Sequence, residues 1–178
     1  TDYIGEAGWP SHGWPAGLFD ICMVEKPRAA FHRAMWNDEP IVRIAVRDNA
    51  LDIDHGRDLW QWPNMAAIWN FPRAYEGLVI EVNTTTNCER VALFHNGNEM
   101  GVRRTAYYPN HTITWCLPYR RGTLVAKGIN GTDTVAVHEI RTAGDAVRLK
   151  ATADRGKLMA DGQDLSYVQV ELLDKDGT

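Results

Sequence analysis

Alternating apolar and polar positions dominate the middle of the chain. In residues 78–82 and again in residues 90–95, every second side chain is apolar. An alternation with period two is typical of strands that bury one face. Three further β-prone runs follow at short spacing: residues 100–104, 112–117 and 123–129. Five short strands in this arrangement predict an antiparallel β-sandwich.

Turn residues separate these runs. Asn96-Gly97 stands between the second and third, and Asn-Gly tolerates the positive φ of a tight hairpin. A turn is also expected at residues 118–122, and another at Asn130-Gly131, before a strand that begins near Val135. The sandwich is therefore assigned to residues 41–142, with its first strand at 41–46 and a polar loop at 48–57.

Residues 143–178 contain two more alternating runs, 147–151 and 168–172. Two or three strands cannot close a sandwich by themselves. Either they extend the preceding sheet, or they begin a second β domain that this sequence truncates. We assign residues 143–178 to the start of such a domain.

Residues 1–40 differ from the rest, being rich in Gly, Pro and Trp. Tyr3 and Ile4 resemble a strand end, and residues 5–19 an irregular loop. Residues 26–36 have partial helical periodicity, with Pro27 suited to a first turn. This piece has too little apolar surface to fold alone.

Composition excludes several classes of protein. The 178 residues carry a net charge of −4, which argues against a nucleic-acid partner. The pairs Arg103-Arg104 and Arg120-Arg121 are interpreted as solvated strand ends. No apolar run approaches the ~20 residues of a membrane span, so no membrane partner is expected. Because the chain opens on Thr1, we expect that residue 1 is not the natural start.

The three cysteines and six histidines indicate neither a metal site nor a cofactor. Cys22 and Cys116 lie in apolar stretches and Cys88 in a polar turn. A Cys88–Cys116 disulfide is the less favoured alternative to free thiols. The dispersed histidines are expected in turns or at the surface.

One dense polar constellation stands near the start of the chain. Asp2, Tyr3 and Glu6 lie at the predicted strand end and Trp9 follows in the loop. Barrel enzymes place their sites at the carboxyl ends of strands. Two interpretations of Glu6 stay open: it accepts loop hydrogen bonds and holds the loop shut, or it contacts substrate.

Six of the seven tryptophans precede residue 70. Trp60, Trp62 and Trp69 have two interpretations. They fill a core between packed units, or they form a sugar platform on which flat aromatic faces meet the C–H faces of pyranose rings.

Four stretches together resemble the carboxyl-terminal part of a family 2 glycoside hydrolase of the β-galactosidase type. They match the last strand of its (β/α)8 barrel, the barrel's final loop and helix, the following immunoglobulin-like sandwich, and the opening of a further such domain. The stretches are Asp2-Tyr3-Ile4-Gly5-Glu6; Leu18-Phe19-Asp20 through Lys26-Pro27-Arg28 to Trp36; Val91-x-Leu93-Phe94-x-Asn96-Gly97-x-x-x-Gly101 with Trp115-x-x-Pro118-Tyr119-x-x-Gly122-x-Leu124; and Leu158-x-Ala160-Asp161-Gly162-x-Asp164-Leu165 to Gly177. Met23-Val24 departs from the family pattern.

The resemblance implies a mainly β chain: an immunoglobulin-like sandwich preceded by a strand-loop-helix remnant of the barrel (residues 1–40). It also implies a retaining glycosidase whose paired catalytic glutamates lie upstream, so no catalytic residue is assigned here. Asp2, Tyr3 and Glu6, with Trp9, are the candidate substrate-binding positions. The parent would hydrolyse terminal β-linked sugars, in particular β-galactosides, with a periplasmic or secreted location favoured.

For the isolated chain we expect no hydrolytic activity, because one carboxylate cluster cannot supply both proton transfer and nucleophilic attack. Apolar surface left by the missing barrel predicts self-association, or packing against that barrel. The alternative is a non-catalytic carbohydrate-binding or interaction module that uses Trp60, Trp62 and Trp69, and it requires those indoles to be exposed.

Overall fold

The computed structural model describes residues 17–20, 23–47, 63 and 65–178. The strand end expected at Tyr3 and Ile4 and the loop expected at 48–57 lie outside these ranges. The described residues fall into two compact units, one ending at Arg141 and the other running from Thr142 to Thr178.

The described part of the first unit forms two antiparallel sheets. Its strands are β1 (Val42–Arg47), β2 (Met65–Ala66), β3 (Val79–Thr86), β4 (Arg90–His95), β5 (Asn98–Arg104), β6 (Thr112–Pro118), β7 (Thr123–Asn130) and β8 (Asp133–Arg141). One sheet has the order β2-β1-β3-β6 and the other the order β5-β4-β7-β8. The chain changes sheet between β3 and β4, β5 and β6, and β6 and β7, as in immunoglobulin-like sandwiches. The predicted mainly β sandwich is confirmed.

Helix α1 (Pro27–Trp36) precedes the sandwich, as the sequence predicts. Pro27 occupies the first turn, where its missing N–H costs nothing. Ala29, Ala30 and Ala34 are buried, and the helix packs on β1 and β3. Among the described residues, no helix is long and apolar enough to cross a membrane.

Apolar side chains from both sheets meet in a single core. Trp69, Trp115 and Tyr119 are its largest fully buried side chains. Trp115 donates its indole N–H to Thr84 Oγ1 at 3.0 Å. Trp69 donates to the carbonyl of Arg120, also at 3.0 Å. Both indoles thus satisfy their one polar atom inside the core, as buried tryptophans require.

The β4–β5 hairpin turns at Asn96-Gly97, both with positive φ (50° and 80°), which confirms the predicted tight turn. Asn96 also joins this turn to the connection between β6 and β7. Its side chain accepts from the Thr123 N–H at 2.8 Å and donates to the Arg121 carbonyl at 3.1 Å. A Cβ on Gly122 would lie 1.8 Å from Asn96 Oδ1, so only glycine fits there.

The environments of Cys88 and Cys116 do not follow the polarity of their sequence neighbours. Cys88 is buried and Cys116 is exposed, and both are free thiols, so the alternative Cys88–Cys116 disulfide is not formed. Cys116 points outward because its neighbours Trp115 and Leu117 take the inward positions of β6. Cys22 lies outside the described residues.

Two histidines are less exposed than predicted. His95 is buried against Trp69, and its Nε2 donates to the Arg120 carbonyl at 3.0 Å. His138 is half-buried, and its Nδ1 accepts from the Ile44 N–H at 3.1 Å. Isolated histidines in the sequence carry no signal of either contact.

The second unit contains an antiparallel pair, β9 (Arg148–Ala153) and β10 (Val168–Leu173). Three cross-strand pairs are apolar: Leu149 with Leu172, Ala151 with Val170, and Ala153 with Val168. Because alternate residues share a face, these pairs form one continuous apolar face. All six side chains are exposed.

Asp174 ties the ends of this second unit together. Its carboxylate accepts from the N–H groups of Gly144 at 2.7 Å, Asp176 at 2.9 Å and Thr178 at 2.9 Å. These bonds hold the pKa of Asp174 below its usual value.

Candidate functional site

The predicted substrate-binding residues Asp2, Tyr3, Glu6 and Trp9 lie outside the described residues, as do Trp60 and Trp62. Their roles stay predictions. Of the site residues predicted from the sequence, Trp69 is the one that the structure describes.

The structure contradicts the interpretation of Trp69 as part of a sugar platform. Its side chain is 0% exposed and sits among Phe71, His95 and Tyr119, with its ring centroid 5.0 Å from that of Tyr119. An indole that is closed in on its faces and edges offers no surface to a sugar ring. Core filling, the other interpretation of this residue, is the one that the structure supports.

Carboxylates whose contacts the structure gives act as local structural acceptors. Glu25 pairs with Arg33 at 3.2 Å, and Asp164 pairs with Arg155 at 2.6 Å. Within the described ranges, no group of three or more His, Cys, Asp or Glu side chains is placed to hold a metal ion.

A cavity of about 710 Å³ opens at one end of the sandwich, and we call it the loop-end cleft. It lies between the β3–β4 turn and the β5–β6 connection. Its lining comprises Asn87, Cys88, Glu89, Arg90, Arg104, Thr105, Ala106, Tyr108, Pro109 and His111. Loops at the ends of a sandwich are common sites of binding because a rigid scaffold positions them.

Hydrogen bonds between neighbouring loops fix the shape of this cleft. The Thr105 N–H donates to the Glu89 carbonyl at 3.0 Å. Glu89 Oε2 accepts from the Gly131 N–H at 2.9 Å, which adds the β7–β8 turn to the assembly. His111 Nδ1 donates to the Thr86 carbonyl at 3.1 Å. The three loops are therefore held to one another without a ligand.

Two arginines line the cleft and stand directly opposite each other, since Arg90 pairs with Arg104 in the β4–β5 register. Like charges in this arrangement destabilise a sheet. Arg90 donates to the carbonyl of Gly131. The side chain of Arg104 is exposed and has no hydrogen-bond or ion-pair partner in the described chain. The adjacent Arg103 lies over the Trp115 ring, 4.4 Å from its centroid.

The cleft was not predictable from the sequence. The sequence predicts that Arg103 and Arg104 are both solvated at a strand end. In the structure they point to different surroundings, because Arg103 lies over Trp115 and Arg104 lines the cleft. Only the register that sets Arg90 against Arg104 singles out the second arginine, and register is a product of folding.

A smaller cavity of about 230 Å³ lies beside α1 and is lined by Glu25, Arg43, His138 and neighbouring apolar side chains. Burial, followed by the charge of Arg43, lowers the pKa of His138 from 6.5 to about 4, and Glu25 opposes this shift. The imidazole is thus neutral at pH 7, as its acceptor role toward Ile44 demands.

Known proteins resemble this chain over most of its length. Residues 77–136, the central strands of the sandwich, match a family model described as a domain of unknown function, DUF4982. β-Galactosidase BoGH2A of Bacteroides ovatus is 29% identical over 99% of this chain, which covers 18% of that protein. A glycosyl hydrolase family 2 member from Bacteroides cellulosilyticus superposes with a TM-score of 0.81 at 30% identity, over 92% of this chain and 22% of that one. The chain therefore resembles a part of family 2 glycoside hydrolases.

Relatives in this family carry more than one activity name. A putative β-glucuronidase of Formosa agariphila is 29% identical over 99% of this chain, which covers 16% of that protein. The chain thus spans about a fifth of the length of the relatives it matches. Its recognition as the carboxyl-terminal part of a family 2 hydrolase is confirmed, whereas the barrel remnant at residues 1–40 stays a prediction.

Proposed function

We propose that this chain is the accessory part of an enzyme that hydrolyses terminal β-linked sugars, with β-galactosides as its substrates. The observation that carries the proposal is the match of 99% of the chain to a β-galactosidase. The glucuronidase relative supports the same reaction class on a different sugar.

The accessory role rests on what the described carboxylates do. A retaining glycosidase needs two carboxylates about 5 Å apart on either side of one bond. In the described chain, Glu25, Asp164 and Asp174 are each bound to a basic side chain or to backbone amides. We place the catalytic glutamates elsewhere in the parent, and the sandwich then acts as scaffold.

The substrate is tested on the full-length parent with two aryl glycosides, 4-nitrophenyl β-galactoside and 4-nitrophenyl β-glucuronide. We expect kcat/KM for the galactoside to exceed that for the glucuronide by at least about a hundredfold, the discrimination expected when a buried polar site loses its partners. A preference for the glucuronide would refute the galactoside assignment and leave the hydrolase assignment standing.

We also propose that α1 and the segment before it pack against the barrel of the parent. Met23, Val24, Met35 and Trp36 are exposed, Trp36 at 75%, although the helix buries its alanines on the sandwich. Exposed apolar surface marks contact sites, and these side chains lie at both ends of α1. In sedimentation, the 178-residue chain should self-associate, and the double variant Met35→Ser, Trp36→Ser should shift it to monomer; a monomeric unmodified chain would contradict the proposal.

A further inference from the structure

The loop-end cleft has three properties of a binding site. Its volume of about 710 Å³ lies within the range of small-molecule sites. Its walls are held together by loop-to-loop hydrogen bonds, so little ordering would be needed on binding. It also carries a guanidinium, that of Arg104, which has no partner in the described chain.

The charge of the cleft selects an anion. Arg90 and Arg104 face each other across two strands, and the Glu89 carboxylate is already engaged by the Gly131 amide. A bound oxyanion would offset the repulsion between the two arginines. Guanidinium groups match the planar, two-oxygen edge of a carboxylate through paired hydrogen bonds.

The size and lining of the cleft select more than a bare ion. Beside the arginines, Ala106, Tyr108 and Pro109 supply apolar surface. Aromatic and ring carbons suit the C–H face of a pyranose. We propose that the loop-end cleft is a non-catalytic site for an acidic saccharide, with the sugar carboxylate held at Arg104.

The choice of a saccharide rests on the proposed glycoside hydrolase function, whereas the choice of an anion rests on the arginines alone. The two proposals fail separately. Binding is measured on the 178-residue chain, and hydrolysis is measured on the full-length parent.

The test titrates the purified chain with methyl β-glucuronide, methyl β-glucoside and sodium sulfate, followed by calorimetry and by the backbone amide shifts of Thr105 and Gly131. The two glycosides differ at C6 alone, which is a carboxylate in the glucuronide and a hydroxymethyl group in the glucoside. We expect the glucuronide to bind about tenfold more tightly than either other probe, as an added charge-assisted hydrogen-bonded pair predicts. Equal binding of the two glycosides would overturn the proposal, and so would sulfate binding as tightly as the glucuronide.

Variants locate the site. Arg104→Gln should weaken glucuronide binding about tenfold. Arg104→Lys keeps the charge but loses the paired donors of the guanidinium, so its affinity should lie between those of Arg104→Gln and the unmodified chain. Arg73→Gln removes the same charge from an exposed residue outside the cleft and should change binding less than twofold. Near-UV circular dichroism confirms folding of each variant. Unchanged affinity in folded Arg104→Gln refutes the assignment.

Discussion

The sandwich and the β9–β10 pair show the same alternation in sequence and opposite outcomes in structure. Val82 and Leu93, on inward positions of the sandwich, are 0% exposed. Val170 and Leu172, on the apolar face of the pair, are 62% and 70% exposed. Alternation therefore specifies which face of a strand is apolar, and a second sheet decides whether that face is buried.

The same contrast appears in how the two regions are held together. The sandwich is stabilised by apolar packing around Trp69, Trp115 and Tyr119, with a few buried hydrogen bonds. The second unit depends on polar links, among them the Asp174 network and the Lys150–Glu171 ion pair at 3.0 Å. Exposed ion pairs contribute little to stability, so the two regions should respond very differently to substitution.

The largest expected effect comes from truncating the same residue type in each region. Leu93→Ala should lower the free energy of unfolding of the sandwich by about 2–5 kcal/mol, because it leaves a cavity in a close-packed core. Leu172→Ala should change the free energy of unfolding of the second unit by less than about 0.5 kcal/mol, because that side chain is exposed. Urea denaturation followed by far-UV circular dichroism measures both, since the second unit contains no tryptophan. Equal losses would mean that the face containing Leu172 is buried in solution.

A second, smaller difference is expected at two glycines. Gly122 has φ 136° and lies against the Asn96 side chain, so Gly122→Ala should cost about 2–3 kcal/mol. Gly156, in the second unit, has open space around it, and Gly156→Ala should be close to neutral. Thermal melts of the two variants compare them directly, and a neutral Gly122→Ala would place the Asn96 turn differently from the structure.

Acid should weaken the sandwich through His138. Its pKa is about 4 in the folded state and 6.5 for an unperturbed histidine, so the unfolded state takes up the proton first as pH falls. The stabilisation is complete above pH 6.5 and is lost between pH 6.5 and 4. Solvent screening at this half-buried site limits the loss to about 1–2 kcal/mol. Glutamine does not titrate, so in His138→Gln the free energy of unfolding from urea melts should depend less on pH between 6.5 and 4. An unchanged pH dependence would exclude His138 as the cause.

The smallest effect should be confined to the second unit. Backbone hydrogen bonds keep the pKa of Asp174 below 3.8, so its contribution is present above that pH and is lost as pH falls through the folded value. Asp174→Asn should accelerate amide exchange at Gly144 and Thr178 a few-fold at neutral pH. The exposed Asp176→Asn serves as control and should leave both amides unchanged.

Much of the fold could be predicted because local pattern carries it. Alternation located β3 to β8, Asn96-Gly97 located a hairpin, and Pro27 marked the start of α1. The exposure of Cys88 and Cys116 could not be predicted from the polarity of their neighbours. Cys116 is exposed because it occupies an outward position of β6, and Cys88 is buried although it lies in a turn. Trp69 was ambiguous because a buried indole and a sugar platform share one sequence signal.

Less of the candidate site was accessible. Arg90 and Arg104 are 14 positions apart, and nothing in the sequence joins them until β4 and β5 pair. The acceptor role of His138 likewise depends on an edge of β1 that no local pattern reveals. A site assembled from different strands cannot be recognised in the sequence when its residues are also typical of a solvated surface.

The central claim, that this chain is the accessory part of a glycosidase, is tested most directly by assaying the purified 178 residues on 4-nitrophenyl β-galactoside beside the full-length parent at equal molar concentration. We predict turnover by the parent and no turnover above the enzyme-free rate by the 178-residue chain. Enzyme-like turnover by the 178 residues alone, surviving repurification, would place a complete catalytic pair within them and contradict the account.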